Sequence, residues 1–411
     1  MYAMRASVLF DGQKRLKDMY IIVSDSKIAE VTKEKPDVEI LFEGIVTPAF
    51  IDGHSHIGMV RHSEPSSEEE VNEQADIFLP DLNPLDSVYF DDKYFEDAVE
   101  FGVLYSCILP GSGNLFGGKA IVIRNYARNR LDAPIKDIGY KMALGYNPRS
   151  TYKLWKGKRF HTRMGVYALF HRRIHAVVKK KKKNEWKIWK AKKKLLHELR
   201  SEKITKEEYE EEIKRLEETL EAEFSPVDKA ILEVLEGKKI VRVHVHKEDD
   251  IVFLVNLVRA YGMRATADHT CDVYRVEGFR LLRDNDIPIM YGPIDSLAYK
   301  TELKHDSYKN VKALIDSQAK FALISDHPVV LARNLHLQLR YFIMFGYSEE
   351  KAISLITKEP AEILGIDDIL GTIEPRKWAS LIVWDKSPFY LGAKPKAVIG
   401  EGRVLYEKEE Q

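Results

Sequence analysis

Apolar and polar positions alternate in short runs along the first 48 residues. Residues 7–10, 19–23, 27–31 and 40–42 are rich in β-branched and aromatic side chains, and turn-prone pieces such as Asp11-Gly12 and Ser24-Asp25-Ser26 separate them. The pattern predicts β-strands with no helix between them. So few strands cannot close a core alone. Residues 381–384, 397–399 and 403–406 repeat the pattern near the other end. The two ends, 1–48 and 366–411, are therefore expected to meet in one small β-sandwich.

Between them the rhythm changes. Apolar runs at 46–51, 103–109, 138–144, 240–246, 263–267, 287–291 and 321–324 alternate with helical periodicity. Strand and helix in alternation predict right-handed βαβ units and a parallel sheet. Seven or eight such units point to an α/β fold of the closed (β/α)8, TIM-barrel type over residues 49–365.

Residues 176–236 interrupt this rhythm. Residues 179–183 are all lysine; 179–203 hold 12 basic and 3 acidic residues, a formal +9, and 205–223 hold 3 basic and 9 acidic, a formal −6. Thr205 followed by Glu208 is a capping box that starts a second helix. Ile213, Leu216 and Leu220 share one helical face, and Trp186, Trp189 and Leu196 share another. An antiparallel hairpin is predicted, with one basic and one acidic arm, each about 37 Å long if it has about 25 residues. It can pair with itself, serve protein contact or homo-oligomerisation, or bind nucleic acid. The acidic arm cancels much of the field that nucleic acid would need.

Composition then narrows the class. The 411 residues are 45% hydrophobic, enough for a large core, and carry no formal net charge. That argues against an overall polyanion binder. Two cysteines, Cys107 and Cys271, cannot staple a chain this long or build a cysteine zinc cluster. No stretch is apolar enough to span a bilayer, and the first residues do not read as a signal peptide. A cytoplasmic protein with no membrane partner is expected.

The candidate chemistry lies at strand ends. Residues 47–59 read TPAFIDGHSHIGM, an apolar strand ending in His54 and His56. Residues two apart on a strand project to the same side, so both imidazoles can reach one ion. His244 and His246 repeat the spacing in IVRVHVHKEDD, His269 ends the strand in ATADHTCDVY, and Asp326 ends the strand in FALISDHP. In a (β/α)8 barrel the C-terminal strand ends ring one pocket, so these groups converge. Histidine and carboxylate without cysteine fit a catalytic divalent ion, zinc first and iron or manganese as alternatives. His244 is the ligand chosen from its pair, and His246 is left to support a ligand or touch substrate. His327, next to Asp326, is expected to point to the other side.

With these motifs in place the chain resembles the amidohydrolase superfamily, and is most similar to its imidazolonepropionase-like branch. The resemblance covers nearly the whole chain: PAFIDGHSH, RVHVH, ADHTC, ISDHP, the return LGTIEPRKWASLIVWD into the sandwich, and PGSGNLFGG, KMALGYNP and HTRMG. It implies a hydrolase that attacks a C–N bond of an amide or cyclic amide with metal-activated water. Carried over by motif, His54, His56, His244 and Asp326 hold one metal ion. His269 then ligates a second ion or hydrogen-bonds the substrate carbonyl and its oxyanion. Asp326 serves as general base and acid, and Asn114 and Arg163 contact a small amide substrate. Lys141, opening KMALG, is the candidate for the carboxylated lysine of two-ion members, which would make the protein dipeptidase- or prolidase-like. A metal-binding barrel without catalysis is the remaining alternative. Two departures stand out: Ser380 replaces an expected Asp beyond the turn at Pro375, Arg376 and Lys377, and Tyr146 stands where relatives often carry Glu.

Overall fold

The computed structural model describes residues 1–149 and 159–409. From the N-terminus run β1 (Tyr2–Phe10), β2 (Arg15–Ser24), β3 (Lys27–Thr32) and β4 (Ile40–Pro48). The barrel strands follow: β5 (Phe50–Ser55), β6 (Val103–Ile108), β7 (Phe116–Arg124), β8 (Pro134–Ala143), β9 (Ile240–Val245), β10 (Ala265–His269), β11 (Ile289–Tyr291) and β12 (Phe321–Leu323). They are hydrogen-bonded in chain order, β5 through β12. The circle closes just past β12, where the Asp326 N–H donates to the His54 carbonyl and the His56 N–H to the His327 carbonyl, both at 3.1 Å.

The barrel departs from all-parallel in one place. β7 is antiparallel to both β6 and β8. The links on either side, 109–115 and 125–133, are too short for the dozen or more residues of a parallel crossover, so the strand has to run back. The apolar pattern missed β7, because its glycine-rich start, Phe116-Gly117-Gly118, reads as a turn. The predicted run 46–51 also proves to be two elements, the end of β4 and the start of β5.

The helices are α1 (Lys93–Glu100), α2 (Arg163–Arg200), α3 (Lys206–Ala222), α4 (Pro226–Leu235), α5 (Glu248–Tyr261), α6 (Val276–Arg283), α7 (Asn310–Ser317), α8 (Leu339–Met344), α9 (Glu349–Ser354) and α10 (Lys358–Leu364). The chain returns as β13 (Leu381–Trp384), β14 (Pro395–Gly400) and β15 (Arg403–Glu407). These join the first four strands in one continuous seven-stranded sheet, β15-β14-β13-β4-β1-β2-β3, rather than in two separate sheets. The sheet curls, and β3 meets the approach to β13 where the Ile28 N–H donates to the Lys377 carbonyl at 2.9 Å. Strand periodicity splits β13 between two cores: Leu381 and Val383 fill the curl, while Ile382 and Trp384 pack against the barrel.

The charged insertion is a helical hairpin, but its basic helix starts earlier than the lysine run suggests. The Thr162 side chain caps α2, and Val166, Phe170, Ile174 and Val177 bury against the barrel before the helix continues outward. Its 38 residues make it about 57 Å long. The capping box at Thr205 and Glu208 is formed. Ile213 and Leu220 are buried, whereas Trp186 and Trp189 are turned to solvent.

Candidate metal centre

Three imidazoles at the mouth of the barrel are each held through Nδ1. His54 Nδ1 lies 2.7 Å from Asp268 Oδ2, His56 Nδ1 2.8 Å from the Leu109 carbonyl and His269 Nδ1 3.0 Å from the Gly292 carbonyl. A carbonyl oxygen only accepts, so Nδ1 of His56 and His269 carries the proton, and the Asp268 carboxylate favours the same tautomer in His54. The Nε2 lone pairs are left for a metal, the arrangement that second partners impose on ligating histidines.

Those nitrogens converge. Asp326 Oδ1 is 3.3 Å from His56 Nε2 and 3.6 Å from His54 Nε2, and Lys141 Nζ is 3.0 Å from His54 Nε2. Donor atoms of His54, His269 and Asp326 lie within 4.8 Å of one another, and so do those of His244, His246 and His269. His269 Nε2, His244 Nδ1 and His246 Nδ1 are buried with no hydrogen-bond partner among the described residues. Unpaired buried imidazole nitrogens facing one another are costly unless an ion takes them up. The donor set thus fits a divalent cation.

Electrostatics prepare the same groups. Burial, then the positive charge of Lys141 or Lys300 nearby, hold His54, His244 and His246 well below the usual imidazole range, and burial does the same for His269. All four are neutral, as ligands must be. Burial alone would raise the Asp326 carboxyl, but the polar and cationic surroundings, the Lys141 ammonium among them, hold it below its usual range. Burial pushes the Lys141 ammonium down to about 8. The backbone is bent to aim two of these groups: His269 has φ +79° and Asp326 φ +50°, a left-handed region costing of order 1–3 kcal/mol for a residue with a side chain.

The remaining expected residues fall as follows. His246 joins His244 in the second imidazole group rather than standing apart. Asn114 is tied to its own loop: its Nδ2 donates to the Glu73 carbonyl at 3.0 Å and its Oδ1 accepts from Arg159 at 3.0 Å. Arg163 opens α2 and pairs with Asp250 at 2.9 Å, on the wall of a cavity of about 200 Å³ shared with Tyr146 and Glu302. His327 turns away, its ring 4.5 Å from that of Tyr94, and its Nδ1 accepts from the Ala332 N–H.

Sequence reasoning missed the groups that hold the candidate ligands. Asp268 also binds Arg242 Nη2 at 2.7 Å, and Arg242, fully buried, donates to the Gly53 carbonyl at 2.8 Å. Arg242 shares a strand face with His244, and a charged residue there in an apolar strand was the available signal. Glu302 and Lys300 come from the stretch between β11 and α7. Lys300 Nζ lies 3.0 Å from Glu302 Oε1 and 3.1 Å from Asn147 Oδ1, and Glu302 Oε1 is 3.6 Å from His244 Nε2. Glu302 Oε2 accepts the Tyr146 N–H at 2.8 Å, so a carboxylate stands beside this turn although Tyr146 does not supply it.

A model of the amidohydrolase family matches residues 192–405, just over half of the chain. The chain belongs to the amidohydrolase family. Among curated members, the amidohydrolase tasK of Hapsidospora irregularis is 24% identical over 413 residues, covering 94% of this amidohydrolase and 40% of that protein. The chain therefore spans less than half of that relative. The urease subunit alpha of Natronomonas pharaonis is 39% identical over 59 residues, 14% of this chain and 10% of its own length. Among solved structures, an amidohydrolase from Thermotoga maritima MSB8 superposes with a TM-score of 0.84 at 26% identity, covering 99% of this chain and all of that one. A Xaa-Pro dipeptidase with methionine bound in its active site shares the fold, with a TM-score of 0.59 at 14% identity over 99% of this chain and all of its own. As a family member the chain carries a TIM-type barrel, a second sheet domain and histidine and aspartate groups placed where they could hold a metal ion. No helix among the described residues is long and apolar enough to cross a membrane.

Proposed function

We propose that this amidohydrolase cleaves a non-peptide C–N bond, in an amide or cyclic amide, with His54, His56, His244 and Asp326 as metal ligands. The reading rests on one observation: buried imidazoles pinned through Nδ1 turn Nε2 toward a carboxylate that is ionised at neutral pH. A divalent ion there, zinc by preference with iron or manganese as alternatives, supplies Lewis acidity and brings the pKa of a bound water toward about 7. Asp326 accepts a proton from the attacking water and returns it to the leaving nitrogen. His269 enters through Nε2. That atom carries a lone pair and no proton while Nδ1 donates to Gly292, so ligation suits it better than donation to an oxyanion. The imidazolonepropionase-like motifs favour a cyclic substrate, and a cytoplasmic location accords with the sequence.

A second reading has its own support. The two donor groups share His269, and Lys141 sits fully buried beside His54. If the Lys141 amine takes up carbon dioxide and releases a proton, the resulting carbamate can bridge two ions, as a prolidase-like enzyme would require.

Metal analysis tests both. Protein purified without chelator is expected to hold one divalent ion per chain in the first reading and two in the second. The second also adds the mass of one carbon dioxide to the peptide containing Lys141. A His54→Ala/His56→Ala variant should lose metal. Wild-type protein unable to take up zinc, iron or manganese would sink the proposal. A panel of cyclic amides, N-acyl amino acids and dipeptides then identifies the bond.

A further inference from the structure

The outer half of the α2–α3 hairpin takes no part in the metal centre. Its seam is closed from within. Asn184 Nδ2 donates to the Leu220 carbonyl at 3.2 Å. Lys187 and Lys192 reach Glu223 and Glu217 across the seam at 3.2 and 2.8 Å, and nearer the barrel Lys180 and Lys181 reach Asp228 in α4 and Glu236 just past it at 2.9 and 2.7 Å. Lys182, Lys183, Lys190 and Lys193 make no ion pair among the described residues.

Between those free lysines stand two large aromatic side chains. Trp186 is 57% exposed, Trp189 58% and Leu196 38%. The Lys190 ammonium lies 5.2 Å above the Trp186 ring and that of Lys193 5.4 Å above Trp189. At 100° per residue, Lys182, Trp186, Trp189, Lys193 and Leu196 form one stripe, roughly 140° round the helix from Asn184 and Ile188 on the α3 side. The free acidic groups Glu207, Glu211 and Glu212 are on α3, so the hairpin separates its charges onto opposite sides.

We propose that the outward face of α2 is a docking surface for an anionic lipid bilayer, on which the arm lies flat. Indole rings belong at the level of the headgroups, where one edge is apolar and the other wet. Flanking lysines each add attraction to anionic lipid. This departs from the sequence expectation of no membrane partner, which rested on the lack of a spanning segment; a surface-lying helix needs none. Two other occupants fit less well. A second copy meeting this one α2 to α2 would set like charges against each other. Single-stranded nucleic acid favours a groove, and this face is a convex ridge.

The test uses the full chain with vesicles of phosphatidylglycerol in phosphatidylcholine, and pure phosphatidylcholine as control. The protein should sediment with the anionic vesicles only, and its tryptophan emission should shift to the blue. Raising salt from ~50 mM to ~500 mM should weaken partition at least ~10-fold. Trp186→Ala/Trp189→Ala should weaken it by a similar factor, with helix content and hydrolase activity unchanged. Quenching of wild-type emission by brominated lipid reads insertion without any variant. Four outcomes would overturn the proposal: no sedimentation, equal binding by the variant, preference for a single-stranded oligonucleotide, or a dimer that the double substitution abolishes.

Discussion

One buried carboxylate sets the position of the first candidate ligand, His54. Asp268 holds His54 Nδ1 and Arg242 together, both at 2.7 Å, with no solvent access. Asp268→Ala therefore frees the His54 ring and strands the arginine charge. Stability should fall by about 3–5 kcal/mol in urea unfolding, the cost of breaking a buried pair from one side. Metal affinity, read by chelator competition, should fall roughly 10–100-fold. Asp326→Asn asks a different question. Asparagine keeps the shape but cannot take a proton, so the variant should fold and lose about 10²–10⁴-fold in kcat. Turnover close to wild type would remove Asp326 from the general-base role. At this scale the converging imidazoles and Asp326 were legible in the sequence, because paired histidines at strand ends of one barrel share its mouth. Asp268, Arg242 and Glu302 were not, because their meaning comes from contacts between strands and loops far apart along the chain.

The elements that carry these residues depend on close backbone approach. Gly139 in β8 has φ +157°, and a Cβ there would come within 1.8 Å of the Ile240 carbonyl oxygen in β9. That carbonyl cannot move without breaking the β8–β9 ladder, which sets Lys141 beside Arg242 and Ala143 beside His244. Gly139→Ala should cost about 3 kcal/mol or more, or prevent folding, read by thermal unfolding and soluble yield. The parallel strands were legible as continuous apolar runs, the mark of strands covered on both faces. β7 was not, because a hairpin strand opening on two glycines looks like a loop until its neighbours are known. The hairpin shows a subtler failure. The tryptophans were read as one helical face, which they are, but apolar periodicity alone does not say whether a face is covered.

The whole molecule is a barrel with two additions of different kinds. The outer hairpin is joined at its base, where Asn184 meets Leu220. Replacing residues 185–219 by a short Gly/Ser link should leave the melting temperature and hydrolysis nearly unchanged and remove vesicle binding. A collapse of activity would show that the arm supports the centre. The sheet domain cannot be removed so simply. Trp384 packs 5.9 Å from Phe50, and its Nε1 donates to Thr47, so β13 covers the entry to the first barrel strand.

That clasp has a consequence for biosynthesis. β4 leaves the ribosome early, yet its partner β13 begins at residue 381, more than three hundred residues later. At about 5–20 residues per second the wait is roughly 15–70 s. Throughout it, Val46 and Thr47 lie on an open strand edge, the kind of template on which nascent chains cross-pair. Crowded polysomes are thus the place where this protein is most exposed to self-association, and a message truncated before β13 would yield a chain that never leaves that state.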